Sequence, residues 1–343
     1  MVTRRTVMSG LAGGMTAGLI VPGSVGPAWA DATATLNERL TGDLAPVHDP
    51  CIIAADDLFH VFSTSQLAEG KGLIHWRASP DLLTWTFIGG VMAEFPKWVT
   101  DAVPGTKGAW APDIAYVNGR YRLYYAASTF GTNRSVIGLL TSPTLDNTAD
   151  DFGWRDEGLV IASDKSNDYN AIDPNYVVDA DGRHWLAFGS FWSGLKIVEL
   201  EPATGKPKAG AEVKALAARG KPDAIEAPFI FRRSDWYYLI ASYDFCCRGA
   251  DSSYYTCIGR SATIDGVYVD RDGRKMSEGG GTLLLHADLD PLKRFKGPGG
   301  ASVLQSGGKE IIVYHAYDAQ RNGMPTLRMQ VLAWTADGWP VAV

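Results

Sequence analysis

The chain has 343 residues, 46% hydrophobic and 20% charged, which supports a sizeable buried core and excludes a disordered or low-complexity protein. Its net charge of −6 provides no basic face, so neither nucleic acid nor an anionic membrane is an expected partner, and a neutral ligand fits better.

In chain order, the first element is an export signal over residues 1–30. Arg4 and Arg5 precede an apolar stretch from Leu11 to Val21, and Ala28-Trp29-Ala30 forms a small-x-small cleavage site. The paired arginines in TRRTVMSG match the twin-arginine type, with an ordinary secretory leader as the alternative. Residues 31–343 are then the secreted mature chain, in which no stretch is long and apolar enough to span a bilayer. Helical patterning is confined to a possible turn at TATLNERL, residues 33–40.

Five variants of one β-hairpin follow: HDPCIIAADDLFHVFSTS from His48, WAPDIAYVNGRYRLYYAAST from Trp110, NAIDPNYVVDADGRHWLAFGSF from Asn170, EAPFIFRRSDWYYLIASYD from Glu226 and GGASVLQSGGKEIIVYHAYD from Gly299. Each opens on a corner containing proline or glycine, runs through strand-forming residues, turns through polar ones and returns with aromatic alternation. The corners recur at intervals of roughly 54 to 72 residues, leaving room for two more strands per unit, such as KGLIHWRASPDLLTWTFIG (71–89). Repeated four-stranded units predict an all-β, five-bladed β-propeller formed as one domain; the alternative is a two-sheet sandwich.

In a propeller the innermost strands all border one channel, so Asp49, Asp173 and Glu226, at or just before the corner prolines, are predicted to converge on one mouth. The proline is expected to hold the preceding residue extended and so to aim its side chain. Crowded carboxylates raise one another's pKa. A protonated acid beside an ionised partner is what glycoside hydrolysis requires. Asp113 lies after its proline and reads as a structural or supporting group. Trp110, Phe130, Phe191 and Trp192 are aromatic faces suited to the apolar faces of sugars. The four cysteines, Cys51, Cys246, Cys247 and Cys257, form neither a disulfide framework nor a zinc pattern. A bridge, if present, is expected to join Cys257 to one of the adjacent pair, because neighbouring cysteines do not readily bond to each other.

Taken together, VHDPCII, WAPDI, AIDPN with GSFWSG, EAPFI, YDFCCRG and LRMQVLAWTADGWP resemble the glycoside hydrolase family 43 arabinanases, and most closely the endo-1,5-α-L-arabinanases, over essentially all of the mature chain. The resemblance implies inverting hydrolysis of arabinan on a five-bladed propeller, with Asp49 as general base, Glu226 as general acid and Asp173 tuning and positioning the acid. It further implies that His48, Trp110, Phe130, Asn175 and Ser190 contact substrate, and that His315 of YHAYD faces a metal ion, usually calcium, completed by waters. No organic cofactor is implied, and a monomer is expected. The adjacent cysteines look like a trait of the same family. Cys51 stands where a small polar residue is commoner, and residues 31–41 have no counterpart. Alternatives on the same scaffold are an exo-arabinanase, an α-L-arabinofuranosidase or a β-xylosidase. The lack of an added sandwich domain favours the endo reading over xylosidases that carry one. Another class is a sugar-binding propeller without catalysis. An invertase-like enzyme is disfavoured, since the chain has EAP where that group has ECP and contains no RDP.

Overall fold

The computed structural model describes residues 35–343; the export signal expected over residues 1–30 lies outside them. Five sheets stand around an axis. Their first strands, Cys51–Ala55, Gly108–Val117, Asn175–Val178, Ile225–Arg233 and Phe295–Ser306, touch one another in sequence, and the last touches the first. This is the predicted five-bladed propeller, and the sandwich is excluded.

Each blade continues outward through antiparallel neighbours. The fourth, for example, runs Ile225–Arg233, Trp236–Tyr243, Tyr255–Ser261 and Thr282–Leu285. A strand inside such a ring is covered on both faces, so it is apolar on both. Along Lys309–Asp318, Ile311 and Val313 enter the cluster shared with the first blade, while Ile312 and Tyr314 enter the one shared with the fourth. Period-two alternation thus sends successive side chains into different interfaces. The five hydrophobic clusters correspond to the five blade interfaces.

The ring is closed by the N-terminal segment. The possible turn near residues 33–40 is a short helix, Leu36–Arg39, followed by Thr41–Gly42, which pairs in parallel with Thr84–Trp85 on the outside of the first blade. Leu36, Leu40 and Val47 pack into the interface between the fifth and first blades. Asn37 Oδ1 accepts the Met329 amide at 2.8 Å, and the Val47 amide donates to the Pro325 carbonyl at 2.9 Å. Buried Arg77 pins the segment from the other side, donating to the carbonyls of Asp43 and Pro46 at 2.7 Å each.

The cysteines correct the expectation. Cys246 and Cys247 are bonded to each other. Cys51 and Cys257 are buried free thiols. Cys257 lies mid-strand in the apolar cluster between the third and fourth blades, whereas Cys246 and Cys247 sit in the loop after Trp236–Tyr243, so no bond joins them.

Candidate active site

The corners use a conformation unlike the one expected from proline. Asp49, Ala111, Asp173 and Ala227, each immediately before a proline, have φ of 48°, 38°, 55° and 54°, and Gly300 in the fifth blade has 56°. These residues are left-handed, not extended. That conformation is costly outside glycine and persists where surrounding structure imposes it. Bulges in the ladders at Ala111-Pro112 and Ala227-Pro228 accompany it. The equivalent positions are therefore Asp49, Ala111, Asp173, Ala227 and Gly300, and Glu226 is one residue ahead of them. Its longer side chain enters the same cleft from the preceding residue.

Asp49, Asp173 and Glu226 line one cleft of about 1050 Å³. Trp110 and Phe130 line it too, their rings edge to face at 6.0 Å, with Phe130 79% exposed. Phe191, Trp192, Phe245, Cys246, Cys247 and Arg248 add to its wall, and Phe191 packs on Phe245 at 5.9 Å.

The three carboxyl groups have different neighbours. Burial works to raise the Asp49 pKa, but His48 at 2.7 Å and the Thr64 hydroxyl at 2.8 Å, both on Oδ2, outweigh it and hold the group well below the usual carboxylate range. Burial raises Asp173 well above that range, and the charges of Glu226 and Asp49 add to it. Its Oδ2 accepts the Ala227 amide at 3.0 Å, which ties the third corner to the fourth. Glu226 is raised by burial and by Asp49, against the hydroxyls of Ser190 and Tyr254, each donating at 2.6 Å. The cleft thus sets an ionised carboxylate against two carboxyl groups whose pKa values are raised.

Of the expected substrate contacts, Trp110, Phe130, His48 and Ser190 line the cleft. Ser190 is 3% exposed and engaged with Glu226, and His48 is engaged with Asp49. Asn175 departs from expectation. It is 2% exposed, its Nδ2 donates to Asp113 at 3.2 Å and its Oδ1 accepts the Ile230 amide at 2.8 Å, so both ends of the amide join blades instead of facing the cleft. Asp113 has the supporting place anticipated for it. Burial pushes its pKa up to about 7, and it accepts the Tyr176 amide at 2.6 Å.

His315 lies on the second strand of its blade, not on the inner one, opposite Gly299. The glycines clear its way: a Cβ on Gly300 would collide with Asp49 Oδ1 and lie 3.0 Å from His315 Nδ1, and one on Gly299 would enter the Tyr254 ring. The His315 ring is fully buried, stacks on His48 at 3.7 Å, and leaves Nε2 without a partner. Nδ1 is 3.0 Å from the Asp49 amide and 3.6 Å from Asp49 Oδ1. The Asp49 amide donates to Nδ1, which places the ring proton of the neutral imidazole on Nε2; the second tautomer, with Nδ1–H turned to Oδ1, is the one that presents a lone pair at Nε2. The second tautomer fits a cation, and because one imidazole is a poor cage for calcium, oxygen ligands would have to complete it.

Thr64, Tyr254, Gly300 and Tyr317 are site residues that sequence reasoning misses. Gly300 alone carries a signal, as the glycine standing where other corners have Asp49 or Asp173.

The geometry has close relatives. The model of glycosyl hydrolases family 43 matches residues 45–340. The chain is 42% identical over 328 residues, 95% of its own length and 94% of the other's, to an extracellular endo-α-(1→5)-L-arabinanase of Bacillus subtilis (strain 168). An exo-1,5-α-L-arabinanase from a bovine ruminal metagenomic library is 41% identical with a TM-score of 0.80, covering 87% of this chain and 96% of that one. A Cellvibrio cellulosa α-L-arabinanase complexed with arabinohexaose is 36% identical with a TM-score of 0.81, covering 88% and 96%. A propeller matched from end to end of its ring, with its acids on one cleft floor, belongs to glycosyl hydrolase family 43.

Proposed function

We propose that the protein is a secreted, endo-acting glycoside hydrolase that cleaves α-1,5-linked L-arabinofuranosyl bonds of arabinan with inversion of configuration. The observation that carries the reading is the asymmetry of the cleft floor, where Asp49 is held ionised by His48 and Thr64 while Asp173 and Glu226 are shifted toward the protonated state. Inverting hydrolysis uses those two states at once. Asp49 takes a proton from water as the water oxygen attacks the anomeric carbon. Glu226 gives its proton to the departing glycosidic oxygen as that bond breaks. Asp173 stands beside the acid, and once ionised its charge opposes loss of the Glu226 proton. His48 and Thr64 fix the Asp49 oxygen that they share, leaving the other for water.

The size of the cleft, at the upper end of pockets that hold a single small ligand, supports a polymeric substrate. The arabinohexaose bound by the Cellvibrio relative and the endo activity named for the Bacillus relative support arabinan. An exo reading is kept as the second, because a relative of that name is almost as similar. Linear α-1,5-arabinan separates them. Early loss of viscosity with a ladder of oligosaccharides supports endo action, arabinose as the sole early product supports exo action, and no new reducing ends would leave a binding protein. Secretion draws support from the leader pattern and from the extracellular Bacillus relative.

At His315, a water-sheathed cation on Nε2 would supply positive charge beneath the acids and limit their repulsion. Complete stripping of metal that leaves rate and thermal midpoint unchanged would remove that role.

A further inference from the structure

Resting on the arabinan-hydrolase reading of the cleft, we infer that the bonded Cys246–Cys247 pair is a positioning unit for Asp49, acting through Tyr317 and His48, and that reducing the pair slows turnover.

The Cys247 amide donates to the Tyr317 hydroxyl oxygen at 2.8 Å. A backbone N–H only donates, so the Tyr317 oxygen accepts there, and the same hydroxyl lies 2.7 Å from His48 Nε2. The other ring nitrogen, His48 Nδ1, donates to Asp49 Oδ2 at 2.7 Å. One amide in the loop is therefore linked, through Tyr317, to the histidine that orients the base. The Cys247 sulfur also rests 3.8 Å from His48 Nε2.

The disulfide explains why that amide stays in place. Cys247 has φ of 66°, a conformation uncommon outside glycine, asparagine and aspartate. A bond between neighbouring cysteines closes a small ring through their own peptide unit and restricts the backbone dihedrals inside it. The loop around it is otherwise held by Phe245, which packs on Phe191 and lies under the Arg248 guanidinium at 4.6 Å. Cys247 itself is exposed to the cleft, where a reductant reaches it. A dithiol reductant transfers two electrons to the S–S bond; two thiols form on the chain, and the reductant leaves as its own disulfide. The freed Cys247 can then leave the left-handed conformation, and its amide moves off Tyr317.

The test is the rate on linear α-1,5-arabinan before and after treatment with dithiothreitol. The reaction is checked by counting thiols in denaturant, and rates are read where near-ultraviolet circular dichroism shows both forms folded. The oxidised chain exposes two thiols, from Cys51 and Cys257, and the reduced chain four. The expected result is a fall in kcat of about tenfold, the scale of a small misplacement of a reacting group, with KM changed less than about twofold and with recovery on reoxidation. Tyr317→Phe removes the middle of the chain of bonds, so reduction of that variant should cost it almost nothing more. The Cys246→Ala/Cys247→Ala double variant should match reduced wild type and ignore the reductant. Reduced wild type with four thiols and an undiminished kcat would overturn the inference. So would a Tyr317→Phe variant slowed by reduction as much as wild type, or an effect confined to KM. Inactivity of the oxidised wild type on arabinan would instead overturn the functional reading, and this inference with it.

Discussion

Asp49, Asp173 and Glu226 differ in what donates to them and in how near another negative charge stands. Asp49 receives His48 and Thr64 and stays ionised; Asp173, buried against the charges of Glu226 and Asp49, and Glu226, buried against that of Asp49, both rise. Asp49→Asn and Glu226→Gln should each lower kcat on linear arabinan by about 10² to 10⁴, the scale of a general base or acid. A purified, folded variant with near-wild-type turnover would remove that residue from the mechanism. Asp173→Asn tests a sign. Activity falls at high pH as the acid loses its proton; removing a neighbouring negative charge makes that loss easier, so the alkaline limb of the rate profile should move to lower pH. A profile that keeps its alkaline limb at wild-type rate would make Asp173 a corner residue only.

At the scale of elements, the corner is the unit that aims chemistry. Four of the five carry a left-handed residue directly before proline, and the fifth has Gly300 at that position. Gly300→Ala should yield a folded protein with kcat lowered by about 10² or more, because its Cβ would displace Asp49 and press on His315. Unchanged turnover would show that the corner can absorb the methyl group. The corners are legible in the sequence because proline and glycine mark them and aromatic alternation follows, which yields the blade count and places Asp49, Asp173 and Glu226 together. Their conformation is not legible. Proline disfavours the right-handed helical region for its predecessor, but only the packed ring pushes Asp49 and Asp173 into the left-handed one. The same limit applies to Asn175, whose motif looks like a substrate contact: whether an amide faces a cleft or a neighbouring blade depends on Asp113 and Ile230, 62 and 55 residues away. Tyr254 and Thr64 reach the carboxyl groups from outside the acid-bearing corners, where nothing in the local pattern marks them.

The whole molecule depends on a ring whose last interface is sealed by residues from the start of the described chain. Leu36 is 5% exposed there, so Leu36→Ala should cost about 2 kcal/mol in a urea titration while leaving kcat unchanged well below the transition. An unchanged midpoint would show that the helix merely rests on the ring. Closure also matters for chemistry, since Asp49 comes from the first blade, Glu226 from the fourth, and His315 and Gly300 from the fifth. An ionised Asp49 that directs water in one displacement, while Glu226 protonates the leaving oxygen, fixes the configuration of the product. That configuration is read most directly by proton NMR of the new reducing end released from a linear α-1,5-arabino-oligosaccharide, recorded before mutarotation. The β anomer is expected first; first appearance of the α anomer would contradict the single displacement.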